Sequence, residues 1–349
     1  MSRARRIGIA LGAGVFVALV TLGAVGALRD DDRGPDVRRR HEEQWNLALV
    51  GVPEAWDVTR GEGAVIAVVD GGVDTRHPDF AGRVEATIDC VGAGGDPDRC
   101  GPGGDRDPDG HGTHVAAIAL GAADNARAAA GVAPDAGLIS VRALVAERCA
   151  RRPCGSTGST ADVAAGVRWA VGAGADVVNL SVSASETVGD DDLIAAVDEA
   201  WDAGVVVVAA GPTRGVGAGL EAAPAITVTA VDADRQPAPY SSGTGGATWA
   251  LAAPGGERRA DTPDGCSGDD AVPAALPAPA GENDASGCLA GTSMAAPHVS
   301  GAAALLVALG LDAPAIVERL LDTAVDLGVA GPDGSFGAGL LDVAAAVSA

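Results

Sequence analysis

VVVVAAGPTRG, residues 205–215, places four valines and two alanines ahead of Gly211 and Pro212. A run of β-branched residues closed by glycine reads as a strand buried on both faces, which is the habit of parallel sheets. Four other stretches have the same character: AVIAVVD (64–70), GLISVRAL (137–144), ADVVNLSVS (175–183) and AITVTAV (225–231). Between the second and third of these lies STADVAAGVRWAVGAG, where Ser159 or Thr160 is placed to cap a helix whose first turn holds Asp162. Val163, Val167, Ala170 and Val171 share one face of that helix, and Asp190 to Ala203 repeats the pattern. Strand alternating with helix predicts an α/β fold of three layers, with a mostly parallel central sheet and helices on both faces. In such sheets ligands gather beyond the carboxyl ends of the strands, so the residues following Ala210 are candidates for function.

The chain has 349 residues, 47% of them hydrophobic and only 3% aromatic, so a large core of small side chains is expected. Its formal charge of −23 excludes nucleic acid and anionic membrane surfaces as natural partners. Ile7 to Leu28 carry no charge, with Arg3, Arg5 and Arg6 before them and Arg29 and Asp30 to Asp32 behind. That order predicts export of the main body, with residues 1–28 serving as a cleaved signal peptide or as a retained anchor. The chain then divides into a charged linker (29–44) and one domain (45–349). Six cysteines fit an exported protein; they fall as neighbouring couples, Cys90 with Cys100, Cys149 with Cys154 and Cys266 with Cys288. The Gly-, Pro- and Asp-rich stretch 255–288 reads as a long loop.

Three reactive residues stand at element boundaries. Asp70 ends a buried strand and is followed by two glycines; His111 opens a small-residue helix in DGHGTHVAAIA; Ser293 opens a strongly apolar helix in LAGTSMAAPHVSGAAALLVALG, with Pro297 placed in its first turn. Taken singly they read as a turn aspartate, a core histidine and a capping serine. His111 and His114 also read as two metal ligands, although no H-E-x-x-H pattern is present. Taken together, a carboxylate, a histidine and a serine in that order form one of the known arrangements of a nucleophilic triad.

VVDGGVD, DGHGTHVA and GTSMAAPHVSGAAALL resemble the three active-site signatures of the subtilisin-like serine proteases, the subtilases. The resemblance runs from about Gln44 to the C-terminus and includes HPDF (77–80), VVNLSVS and AAPG (252–255). It implies a serine endopeptidase acting on polypeptides as a monomer, secreted or held at the cell envelope with its catalytic domain outside the cytoplasm. Asp70 would orient the imidazole, His111 would accept the hydroxyl proton, and Ser293 would attack the peptide carbonyl. Asn179, Leu180, Ser181, Val182 and Ser183 would line the substrate groove by pairing with an extended peptide. The Ser293 backbone N–H would be one oxyanion donor. The other is usually an asparagine side chain, and Pro212 occupies its position, with Thr213 following. Losing such a donor costs about 10²–10³ in turnover. Gly71 stands where threonine or serine is usual, and Ser183 where glycine is. A slow protease is therefore expected, the alternative being a catalytically impaired peptide-binding relative at the cell envelope. No cofactor and no metal site are expected; calcium, common in the family, has the acidic loop Asp96 to Asp109 as its candidate, and that loop also reads as a plain solvated surface.

Overall fold

The computed structural model describes residues 44–123, 125, 129–149, 152–182, 191–214, 219–257, 271–277 and 285–349, without the side chains of residues 148, 149 and 152–154. The segment 1–28, most of the linker, Ser183 and Cys266 lie outside the described residues. Among the described residues no helix is long and apolar enough to cross a membrane.

The strands, in chain order, are β1 (Val65–Asp70), β2 (Val84–Asp89), β3 (Gly137–Arg142), β4 (Val145–Cys149), β5 (Arg152–Thr157), β6 (Val177–Leu180), β7 (Val206–Ala210), β8 (Ala225–Val231), β9 (Trp249–Pro254), β10 (Val272–Ala275) and β11 (Ser286–Leu289). The helices are α1 (Trp45–Leu49), α2 (Val52–Ala55), α3 (His111–Leu120), α4 (Thr160–Gly172), α5 (Asp191–Asp202), α6 (Thr292–Ala308), α7 (Ala313–Asp322) and α8 (Val343–Ser348).

Seven strands form one sheet in the order β2-β3-β1-β6-β7-β8-β9, and every pairing in it is parallel. The pleat explains why the valine runs are needed. Successive side chains point to opposite faces, so Ile66 and Val68 of β1 and Val206 and Val208 of β7 enter one apolar layer. Ala67, Val69, Val207 and Ala209 enter the other. The first layer is closed by α3, α6, α7 and α8, the second by α4 and α5. The sheet with helices on both faces is the three-layer α/β architecture expected from the sequence. Fully burying one such valine or leucine contributes about 1.5–3 kcal/mol.

α3 and α6 lie beneath the sheet with almost every residue buried, which is why neither has a polar face. Ser159 caps α4, its hydroxyl accepting the Asp162 N–H at 3.0 Å. Three sequence expectations are corrected. The stretch 255–288 is not simply a loop, because β10 pairs antiparallel with β11, matching Val272 with Leu289 and Ala275 with Ser286. The strand at 137–144 stops at Arg142, and Val145 begins an antiparallel hairpin of β4 with β5. Pro297 lies inside α6, one turn beyond the position where a missing N–H costs nothing. The first cysteine couple is joined, Cys90 to Cys100.

Candidate active site

Asp70 is the last residue of β1, and α3 starts at His111 directly beside it. This closeness depends on glycine: a Cβ on Gly112 would lie 3.1 Å from Asp70 Cβ and would run into the Gly72 carbonyl. His111 Nδ1 is 2.9 Å and 3.0 Å from the two carboxylate oxygens of Asp70, and Asp70 has no exposed surface. Asp70 also accepts the Gly71 N–H at 2.7 Å. The ring is thus held by a carboxylate that is itself held.

Two further carboxylates close around His111. Asp107 accepts the N–H groups of Gly110 at 2.9 Å and Thr113 at 2.7 Å, covering donors that the first turn of α3 leaves open. Asp109 accepts the His111 N–H at 3.2 Å and also the Ser156 hydroxyl. Burial and the neighbouring Asp109 carboxylate push the Asp107 carboxyl well above its usual range. Burial pushes Asp109 the same way, but the His111 charge and the surrounding hydrogen bonds outweigh it and hold Asp109 below its usual value. For His111, burial disfavours the cation, while Asp70, Asp109 and Asp107 favour it more strongly, raising the imidazole to about 9. Gly71 now has a physical reason: a Cβ there would press to 3.1 Å from the Ser156 hydroxyl.

Ser293 is the second residue of α6 and is 7% exposed. Its Oγ donates to the Ser181 carbonyl at 3.2 Å. Its own carbonyl accepts the Ser181 hydroxyl at 2.9 Å, and Pro297 explains that bond. Four residues on in a helix the N–H would take the Ser293 carbonyl, but proline has none, so the hydroxyl of a neighbouring strand takes it instead. Asn179 continues the chain of bonds, donating to Ser181 Oγ at 2.9 Å and accepting from Ser300 Oγ at 2.9 Å. The predicted groove residues Asn179, Leu180, Ser181 and Val182 are therefore all buried, with the Asn179 side chain facing inward onto α6. Ser181 and Val182 continue the chain beyond β6; Ser183 lies outside the described residues.

Pro212 is buried where the chain leaves β7, its carbonyl accepting the Ser242 N–H at 2.8 Å. Thr213 turns its hydroxyl to within 2.9 Å of the Thr292 hydroxyl, next to Ser293. Nothing in the sequence set the direction of that side chain, and no signal there pointed to Ser156. Asp107 and Asp109 were read as part of the acidic loop Asp96 to Asp109, but they are buried against the start of α3 and are not solvated surface. Among the described residues no group of three or more His, Cys, Asp or Glu side chains is disposed to hold a metal ion. His114 and His298 are buried apart from Asp70, and burial lowers them to about 3 and about 4.

A parallel sheet whose β1 ends in a carboxylate bonded to the histidine that opens α3, with a serine in the first turn of α6, defines an α/β protein with a buried Asp–His pair. Comparison with known proteins gives the family. The profile of the subtilase family, peptidase S8, matches residues 61–339, and the chain belongs to that family. It is 34% identical over 284 residues to thermitase of Thermoactinomyces vulgaris, covering 80% of this chain and 88% of that one. Subtilisin DY of Bacillus licheniformis is 30% identical over 296 residues, covering 82% and 92%. Among solved structures, a protease from Pseudoalteromonas arctica superposes with a TM-score of 0.72 at 26% identity, over 88% of this chain and 97% of that one.

Proposed function

We propose that the chain is an exported serine endopeptidase that hydrolyses peptide bonds with Asp70, His111 and Ser293. The observation that carries this reading is the buried Asp70 carboxylate gripping His111 Nδ1 at 2.9 Å, which leaves Nε2 as the nitrogen able to take a proton. Serine is a weak nucleophile near neutral pH until such a base removes its proton. The chemistry requires the Ser293 hydroxyl to leave the Ser181 carbonyl and turn to that base.

In the first step Ser293 Oγ bonds to the peptide carbonyl carbon, its proton passes to His111 Nε2, and the carbonyl π pair moves onto oxygen. The oxyanion pair then returns, the C–N bond breaks, and the amine leaves with the proton from His111. Water repeats the sequence on the acyl-enzyme, delivering its proton through His111 and releasing the acid and free Ser293. Asp70 stays ionised throughout and stabilises the imidazolium. Ser181 and Val182, continuing past the end of β6, provide main-chain groups for an extended substrate. With proline at 212 the usual amide donor is missing, so turnover is expected to be slow relative to subtilases that keep an asparagine there.

The second reading, a peptide-binding protein with impaired chemistry, is favoured by the present bond of Ser293 Oγ to Ser181. A fluorophosphonate probe separates the two. Stoichiometric labelling of Ser293, lost on His111→Ala, is the expected result; a folded chain that stays unlabelled overturns the protease reading.

A further inference from the structure

Pro212 cannot donate a hydrogen bond, and its surroundings leave its ring no other task than packing. A Cβ added to Gly245 would meet Pro212 Cγ at 3.2 Å, so the ring leans on that loop. The next residue behaves differently. Thr213 is 7% exposed, and its backbone is clamped on both sides, by Ser242 N–H on the Pro212 carbonyl at 2.8 Å and by Arg214 N–H on the Tyr240 carbonyl at 3.0 Å. Arg214 sits at a φ of 53°, in the left-handed region that side chains seldom adopt. Backbone strain of this kind persists only where the surroundings hold it, and functional sites are where it collects. Here it turns the chain sharply just after Thr213.

The clamped side chain places its hydroxyl 2.9 Å from that of Thr292, which is 2% exposed and precedes Ser293 in the chain. Two hydroxyls joined by one hydrogen bond own two protons and use one of them between them. Among the described residues neither hydroxyl has a further hydrogen bond. One O–H is thus left over in a buried place, where an unused donor is unfavourable. The same place holds the Ser293 N–H, which as an early helical amide has no acceptor within α6. Two unused donors, one on the pair and one on the residue that follows Thr292 in the chain, call for one acceptor.

We propose that the Thr213–Thr292 hydroxyl pair is the second oxyanion donor of this enzyme, standing in for the amide that Pro212 replaced. This rests on the protease reading above. When the substrate carbonyl becomes tetrahedral, its oxygen accepts the Ser293 N–H and the spare O–H of the pair. The hydrogen bond between the threonines orients that O–H beforehand, so little reorganisation accompanies the reaction. Because the pair offers one proton, the two threonines act as a unit.

The test uses the full chain, with active sites counted by fluorophosphonate labelling of Ser293 and hydrolysis of a chromogenic peptide followed per labelled site. Thr213→Val is expected to lower kcat about 10²-fold with KM nearly unchanged. Thr213→Ser, which keeps the hydroxyl, is expected to restore most of the loss. Thr213→Val combined with Thr292→Val should be no slower than Thr213→Val alone. If valine disturbs the fold by circular dichroism, Thr213→Ala gives the same reading. A kcat for the folded Thr213 variants within about threefold of wild type, with Ser293 still labelled, overturns the proposal and leaves the protease reading intact. Equal losses in Thr213→Ser and Thr213→Val also overturn it, since a hydroxyl would then not be the active group. A wild-type chain that hydrolyses nothing and takes no label removes both.

Discussion

In the proposed hydrolysis the carboxylates around His111 set the pH at which it can accept a proton. The acceptor of the serine proton must be neutral, while Asp70, Asp109 and Asp107 together hold the proton on the ring up to about 9. The rate should therefore climb with pH along an alkaline limb, kcat/KM being half-maximal near pH 9 rather than near the 6.5 of an ordinary histidine. Asp109→Asn removes one of the charges and should move that midpoint downward; a pH profile of peptide hydrolysis measures it, and an unmoved midpoint would mean Asp109 is screened from the ring. Gly71→Thr belongs to the same cluster. A side chain there crowds Ser156 Oγ, and overpacking of this kind costs about 1–3 kcal/mol, visible as a lower urea midpoint. At this scale the sequence was informative where residue type and position coincide. An aspartate ending a valine strand and a serine opening an apolar helix are readable because the elements bearing them are. Ser156 and the direction of Thr213 were not, since both depend on the path of turns whose geometry is fixed by distant loops.

The junction of β6 with α6 shows an element correcting a defect in its neighbour. Pro297 withholds an N–H from the Ser293 carbonyl, and Ser181 Oγ supplies the missing donor. Removing that hydroxyl by Ser181→Ala leaves a buried carbonyl unpaired, at an expected cost of about 1–3 kcal/mol. In a Pro297→Ala background the restored N–H can close the helical bond, so the same Ser181→Ala change should cost measurably less. Urea unfolding of the four proteins gives the coupling directly; equal costs in both backgrounds would show that Ser181 acts by some other contact. Elements were legible in proportion to their apolar continuity. β1, β3, β6, β7 and β8 sit inside the sheet and need long valine and isoleucine runs. β10 and β11 are short and carry Pro273 and Gly287, residues that ordinarily argue against a strand. Their pairing is stapled from outside, Trp45 Nε1 donating to the Ala271 carbonyl at 3.0 Å and His77 Nε2 lying 3.2 Å from the Ala285 carbonyl.

Across the whole molecule, the histidines pull stability and activity toward different pH. His114 and His298 are neutral in the folded chain down to about 3 and about 4, because burial disfavours their cations. His298 is committed to the neutral form by its bonds as well, with Nδ1 at 2.9 Å from the Met294 carbonyl and Nε2 at 2.9 Å from the Asn46 amide. Unfolded, both bind protons near 6.5, so below that pH the unfolded chain holds more protons and the folded one loses stability. Linkage sets the slope at up to ~1.4 kcal/mol per pH unit for each. His111 has the opposite sign: raised to about 9, it contributes stability that is complete below 6.5 and is lost as pH rises through 9. Stability from these groups thus peaks near pH 6.5, while proton acceptance by His111 improves above it. Chemical unfolding of the full chain from pH 4 to 10 should show that maximum, and peptide hydrolysis over the same range should rise beyond it. His298→Gln should flatten the acid side and leave the alkaline side alone. An acid side equally steep in that variant would mean that the loss of stability there comes from the carboxylates instead.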